Sequence, residues 1–241
     1  MQVLSYCWPK RYEQQPMITE PWDMESVDIV TILPIQGSDT QKKFRRDQGK
    51  KILHTVYANT MLDEDGVLRN AMIAAAQGEC DGVSLDEILL GTLTPERFAK
   101  LKQALKKFRV RCPGKLVHVW VGNATVNNDS GTVSMLYRFC DLVSPELYRS
   151  EEGRLDFADF AERYNLGPVK LRKTLMGIVT HTDPRWRKSD AAWLPNMERQ
   201  IAEIRRLKFG GVAMWAPMHL KNSEERRALD ALLAKSNTHK G

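Results

Sequence analysis

The sequence predicts an α/β fold, a single (β/α)8 TIM barrel spanning residues 1–241 as one catalytic domain. Short β-rich runs alternate with amphipathic stretches along the whole chain. Eight such runs in 241 residues recur about every 30 residues, the size of one strand-crossover-helix unit. Neither G-x-G-x-x-G nor G-x-x-x-x-G-K-[ST] follows the first run, which leaves the runner-up, an open doubly wound sheet, without its nucleotide anchor.

Residues 3–8 (VLSYCW), 28–33 (DIVTIL), 51–58 (KILHTVYA) and 82–86 (GVSLD) read as strands one to four, being short and rich in β-branched and aromatic side chains. Between the last two, Val67, Leu68, Ala71, Met72 and Ala75 fall at helical spacing within residues 65–77. Thr94 followed by Pro95 opens a helix with Phe98, Leu101, Leu105 and Phe108 on one side, ended by Pro113-Gly114. Strand five is 116–121 (LVHVWV), and a helix through Val133, Leu136, Tyr137 and Phe139 leads to strand six, 142–148. Pro145 has no N–H to pair, so it belongs at or beyond the end of the regular ladder. A helix over 157–164, strand seven over 174–180 (TLMGIVT), a long helix over 191–208 and strand eight over 211–215 (GVAMW) complete the alternation. The last helix starts at Ser223, has Glu224 and Glu225 in its first turn, and carries Leu229, Leu232 and Leu233. Residues 9–27 are irregular, with no defined helix.

Composition narrows the function classes. With 42% hydrophobic and 27% charged residues, the chain is an ordinary globular mix, which excludes disorder and disulfide miniproteins. The formal charge of +6 is small, and basic residues alternate with acids, as in Glu203, Arg205, Arg206 and Lys208; no nucleic-acid partner is expected, because a phosphate-binding stripe clusters on one face. No apolar run approaches the ~18 residues that cross a bilayer, and Pro9, Lys10 and Arg11 interrupt the place of a signal peptide's apolar region. No membrane partner is expected, and the chain is read as cytoplasmic or as the mature part of an exported protein. Cys7, Cys80, Cys112 and Cys140 lie far apart without metal-ligand spacing, and read as buried free thiols.

In a barrel of this kind the active site forms at the C-terminal ends of the strands. Those ends carry Tyr6 and Trp8, Tyr57 and Asn59, Asp86 and Glu87, Trp120 and Asn123, Glu146 and Tyr148, His181 and Asp183, and Trp215. Carboxyls among aromatic rings suit glycosidic-bond chemistry: one acid protonates the leaving oxygen, one carboxylate attacks or activates water, and aromatic faces stack on sugar rings. Alternation along strand four turns Val83 and Leu85 toward the helices, Ser84 and Asp86 toward the barrel axis, and leaves Glu87 at the rim. The expected catalytic set is therefore Glu87 or Asp86 with Glu146, and Asp183 as a third candidate. Trp215, Tyr148, Tyr57, Trp120, Tyr6, Asn123 and His181 are expected to bind a carbohydrate substrate. Neither metal nor cofactor is expected.

The run Asp81-Gly82-Val83-Ser84-Leu85-Asp86-Glu87 resembles the D-G-x-x-x-D-[DE] pattern of glycoside hydrolases built on this barrel, and is similar to the chitinase-type D-G-x-D-x-D-x-E. It departs from the latter at Ser84, which replaces an acid, and at Ile88, which stands in the place of the catalytic Glu. Leu85-Asp86-Glu87 also resembles the N-E at the end of strand four in the retaining β-glycosidase clan, which implies Glu87 as acid/base. That clan's strand-seven nucleophile has no counterpart in Thr180-His181-Thr182-Asp183. Gly210-Gly211-Val212-Ala213-Met214-Trp215 looks like the strand-eight ending that carries a sugar-binding Trp in both groups.

Other readings remain open in the sequence. His54, His118 and His181 on strands three, five and seven could gather a metal site for hydrolysis or isomerisation. The barrel could bind carbohydrate without turnover. Glu146 could serve structure by pairing with Arg149 or Arg154, and Arg185, Trp186, Arg187 and Lys188 could form a rim for an anionic sugar.

Overall fold

The strands of the barrel are β1 (Gln2–Tyr6), β2 (Ile29–Ile32), β3 (Lys51–Tyr57), β4 (Gly82–Leu89), β5 (Leu116–Gly122), β6 (Leu142–Pro145), β7 (Leu175–Val179) and β8 (Gly211–Trp215). They were obtained from a computed structural model that describes residues 1–6, 24–32, 48–122, 129–147, 157–180, 190–215 and 223–235. All pairings are parallel, in the order β6-β5-β4-β3-β2-β1-β8-β7. A bridge between Val143 and Thr174 brings the two ends of this sheet together, so the barrel is nearly closed.

Helices α1 (Ala58–Met61), α2 (Val67–Gln77), α3 (Pro95–Arg111), α4 (Ser130–Phe139), α5 (Phe157–Arg163), α6 (Pro168–Lys173), α7 (Asp190–Arg206) and α8 (Ser223–Ala234) lie between and after the strands. Thr94 caps α3, its hydroxyl accepting from the Arg97 N–H, and Pro95 occupies the first turn, as the sequence predicts. Asp129 caps α4 through the Thr132 N–H. The short helices α1 and α6 were not foreseen; α6 begins at Pro168 and contributes no buried residue, so no apolar stripe announces it. Strand six stops at Pro145, which pairs with Val121 as its last residue. The expected strand residues Cys7, Trp8, Leu33 and Tyr148 lie outside the described residues.

Alternation divides the core in two. Outward side chains such as Val3, Val30, Ile52, Val83, Leu85, Val117, Val119 and Val143 pack against the helices. Inward ones, Leu4, Tyr6, Ile29, Leu53, Trp120, Leu142, Leu175 and Ala213, fill the barrel. Cys80, Cys112 and Cys140 are free thiols, and burial pushes Cys140 up to about 12, far from a reactive thiolate. Among the described residues no helix is long and apolar enough to cross a membrane.

The foot of the barrel repeats one device three times. An Asp immediately precedes β2, β4 and β6, and its carboxylate accepts the N–H of a residue in the preceding strand: Val3 to Asp28 at 2.8 Å, Ile52 to Asp81 at 2.7 Å, Val117 to Asp141 at 2.8 Å. In each pair the Asp N–H donates back to the same residue's carbonyl, at 2.9, 2.7 and 2.8 Å. These two-bond brackets lock odd to even strands and reveal a two-unit periodicity that the residue identities alone do not display. Before β8 the equivalent residue is Gly210, where a Cβ would meet the Arg172 carbonyl oxygen at 2.1 Å, so no Asp fits there. Asp141 also pairs with Arg109 at 2.7 Å, and Arg109 donates further to the carbonyl oxygens of Phe139 and Lys115. Asp141→Ala is expected to lower unfolding stability by about 1–3 kcal/mol, the cost of orphaning a strand N–H, read as a lower urea midpoint at unchanged slope.

Candidate active site

Strand β4 does not run regularly to its end. Leu85 pairs with Val119 and Ile88 with Val121, so Asp86 and Glu87 together stand opposite Trp120. This two-against-one register is a β-bulge, and Glu87 takes it up with φ 54°, a left-handed conformation that a non-glycine residue adopts at a cost. The bulge changes the phase of the strand. Ile88, which regular alternation would turn inward, is buried in the helix-facing core, while Asp86 is buried inside and Glu87 is exposed beside it. Two consecutive acids therefore share the C-terminal mouth.

Asp86 accepts a hydrogen bond from the Tyr6 hydroxyl at 3.0 Å. Burial pushes its carboxyl up to about 6, and the Glu87 charge adds to the rise, against the lowering effect of hydrogen bonds from Tyr6 and the Glu87 backbone. Glu146 follows Pro145 directly, and its N–H donates to Val121 O at 2.9 Å, fixing its backbone at the end of β6. Burial pushes the Glu146 carboxyl up to about 8, reinforced by the charges of Asp86 and Glu87. Gly122 of the adjacent β5 makes room for Leu89: a Cβ there would meet Leu89 Cδ2 at 2.6 Å, while Glu146 Oε2 would lie at an ordinary 3.5 Å. Tyr57 stands opposite Asp86 in register, and burial and the Asp86 charge raise its phenol while a hydrogen bond to Tyr6 acts the other way.

Aromatic rings line the interior beneath these groups. Trp120 is 1% exposed and meets Tyr6 edge-on at 5.9 Å and His118 at 5.5 Å between ring centroids. Its ring, like that of Tyr6, is buried among other side chains. Trp215 pairs with Tyr6 in register and is half-buried at the end of β8, and its carbonyl accepts the Thr180 hydroxyl at 2.9 Å.

The structure thus gathers Asp86, Glu87, Glu146, Tyr6, Tyr57 and Trp120 at one end of the barrel and sets Trp215 at its edge. Asp183, Tyr148, Asn123 and His181 lie outside the described residues, as do Trp8, Arg149, Arg154 and the basic run 185–188. Asn59 is tied down by Arg97 of α3, which donates to both its carbonyl and its side-chain oxygen. The two described histidines of the metal reading do not converge. His54 belongs to the outward set and its Nδ1 lies 2.7 Å from the Ala75 carbonyl oxygen of α2, because alternation puts an even-numbered residue of β3 on the helix side. Both ring nitrogens of His118 already contact serines, at 2.8 Å each, and no three potential ligands converge among the described residues. Sequence reasoning missed the bulge, which has no residue signature here.

Neither a protein-family model nor a curated protein matches the sequence. Solved structures do. A chitinase from Bacteroides thetaiotaomicron superimposes with a TM-score of 0.72 at 12% identity, over 100% of this chain and 98% of the other. A GH18 chitinase from Cycas revoluta, solved in complex with (GlcNAc)4, gives 0.68 at 9% identity, over 98% and 99%. A chitinase-like agglutinin from Robinia pseudoacacia gives 0.65 at 10% identity, over 95% and 99%. The chain has the fold of the chitinase-type barrel, as the strand-four resemblance implies.

Two measurements probe the site without any substrate. Tyr6→Phe removes a hydrogen bond that favours the ionised form, so the Asp86 titration followed by carbon NMR is expected to move above about 6. Glu146 holds its proton more tightly when folded than unfolded, so its contribution favours the native state at low pH and is lost as pH rises through about 8. Glu146→Gln is therefore expected to raise the urea midpoint relative to the unmodified protein at pH 8.5 and to leave the difference small at pH 4.

Proposed function

We propose that this barrel hydrolyses glycosidic bonds of an oligo- or polysaccharide, with residues 1–241 acting as one catalytic unit. The observation that carries the reading is a pair of carboxyls at the C-terminal mouth, Asp86 buried and Glu146 half-buried, whose environments separate them, Asp86 at about 6 and Glu146 at about 8. At neutral pH one is a carboxylate and the other an acid, the division of labour that glycoside cleavage needs. Glu146 passes its proton to the glycosidic oxygen as the bond to the anomeric carbon breaks and its electron pair moves to that oxygen. The Asp86 carboxylate, held by the Tyr6 hydroxyl, offsets the positive charge left on the sugar. Water then supplies the hydroxyl, and its proton replaces the one that Glu146 gave up. Glu87, exposed at the bulge, strengthens the field that keeps Glu146 protonated. Trp215 offers an apolar face on which a sugar ring can stack.

The shared fold and the (GlcNAc)4 bound by the Cycas revoluta chitinase make N-acetylglucosamine oligosaccharides the first substrates to try. On an aryl glycoside of that sugar, kcat/KM is expected to rise with pH through about 6, as Asp86 ionises, and to fall through about 8, as Glu146 loses its proton. Glu146→Gln and Asp86→Asn are each expected to lower kcat by about 10²–10⁴-fold. Unchanged rates in both variants would sink the assignment.

A second reading, sugar binding without turnover, is favoured by Ser84 and Ile88, which break the chitinase-type acid pattern, and by the agglutinin that shares the fold. Calorimetric binding of (GlcNAc)4 with no product released on long incubation would favour it over hydrolysis.

A further inference from the structure

The geometry assigns to His118 a positioning role: it is a strut that joins β4 to β6 through a serine two residues before each carboxyl and holds Asp86 and Glu146 in a fixed relation. This rests on the proposed reading of Asp86 and Glu146 as the working pair, but the strut itself is visible without it. His118 lies in the middle of β5, inside the barrel and fully buried. Its Nδ1 is 2.8 Å from Ser84 Oγ of β4 and its Nε2 is 2.8 Å from Ser144 Oγ of β6. Ser84 and Ser144 each sit two residues before a carboxyl, Asp86 and Glu146, and strand alternation places i and i+2 on the same face. The ring thus spans the two strands that carry the acids: it stands in register with Ser84 and Leu142 and reaches up to Ser144, which lies opposite Trp120. It also meets Trp120 edge-on, and Trp120 fills the space opposite the bulge.

The chemistry suits a strut better than a proton carrier. Burial lowers the His118 pKa to about 3, so the imidazole stays neutral, donating its single N–H to one serine and accepting from the other hydroxyl. A cation at this point would favour both carboxylates and weaken the proton donor above it. A neutral, two-ended connector holds the strands without that effect. A sugar can reach neither the serines nor the histidine, since all three are 0% exposed.

The test replaces the strut by packing alone. S84A/H118F/S144A removes all the polar groups together, so no hydroxyl is orphaned and the fold is expected to survive with little loss of stability. Carbon NMR titrations of Asp86 and Glu146 are then compared with those of the unmodified protein, the signals assigned by D86N and E146Q. The expected result is a shift of about 0.5 or more in at least one of the two titrations, with kcat on an aryl N-acetylglucosaminide lowered about tenfold at near-constant KM. Titrations that superimpose on those of the unmodified protein would overturn the proposal. S144A alone, which cuts one end of the strut and spares the ring, gives the same readout if the triple variant does not fold. Absence of turnover in the unmodified protein would sink the glycosidase reading while the titrations still decide the role of His118.

Discussion

The interior of an eight-stranded barrel is just wide enough for its own side chains to fill, and each strand must deliver every second residue to that space. Here the rule is obeyed with apolar residues at the foot and polar ones higher up. Leu4, Ile29, Leu53, Leu142 and Leu175 fill the lower interior; the serines Ser84 and Ser144 follow higher on β4 and β6, joined by His118; Asp86 and Glu146 come two residues after them. Register is what makes this stacking possible, and the brackets from Asp28, Asp81 and Asp141 hold it where the strands begin. A slip of one residue between β4 and β5 would exchange Ser84 and Asp86 for Leu85 and Val83.

Placing carboxyls above an uncharged floor has an electrostatic cost that the fold accepts. Desolvation is the largest cause of the rise at both Asp86 and Glu146, and their mutual field comes after it at Glu146. Hydrogen bonding is distributed unequally: Tyr6 donates to Asp86 and so favours its ionised form. This asymmetry distinguishes two acids that share one mouth.

Much of this was legible in the sequence, for identifiable reasons. Strand eight was bounded correctly because Gly210-Gly211 and a β-rich run define it, and the inward placement of Ser84 and Asp86 followed from period two alone. The pattern Asp81-Gly82 looked like part of a catalytic motif, yet Asp81 does at β4 what Asp28 and Asp141 do at β2 and β6. That part of the resemblance reflects how the barrel is fastened. The orientation of His54 was within reach of the same alternation that placed Asp86. The bulge was not legible, because it depends on which residues of β5 pair with Leu85 and Ile88. The closure around Trp120 depends on Tyr6 and His118, which are far from one another in the chain.

The bulge also bears on how this chain should be compared with others. One additional residue in β4 reverses the inside-outside phase of everything after it, so an acid can reach the mouth at position 87 while position 88 joins the helix layer. A pattern of fixed spacing expects its acid at 88 and finds isoleucine there. Spacing alone misjudges which side of the barrel wall is meant: position 88 belongs to the helix layer, so a side chain there would not reach the mouth whatever residue stood in it. Alignments of such barrels gain meaning when they follow the pairing of β4 with β5, because the bulge decides which of the positions after it face inward.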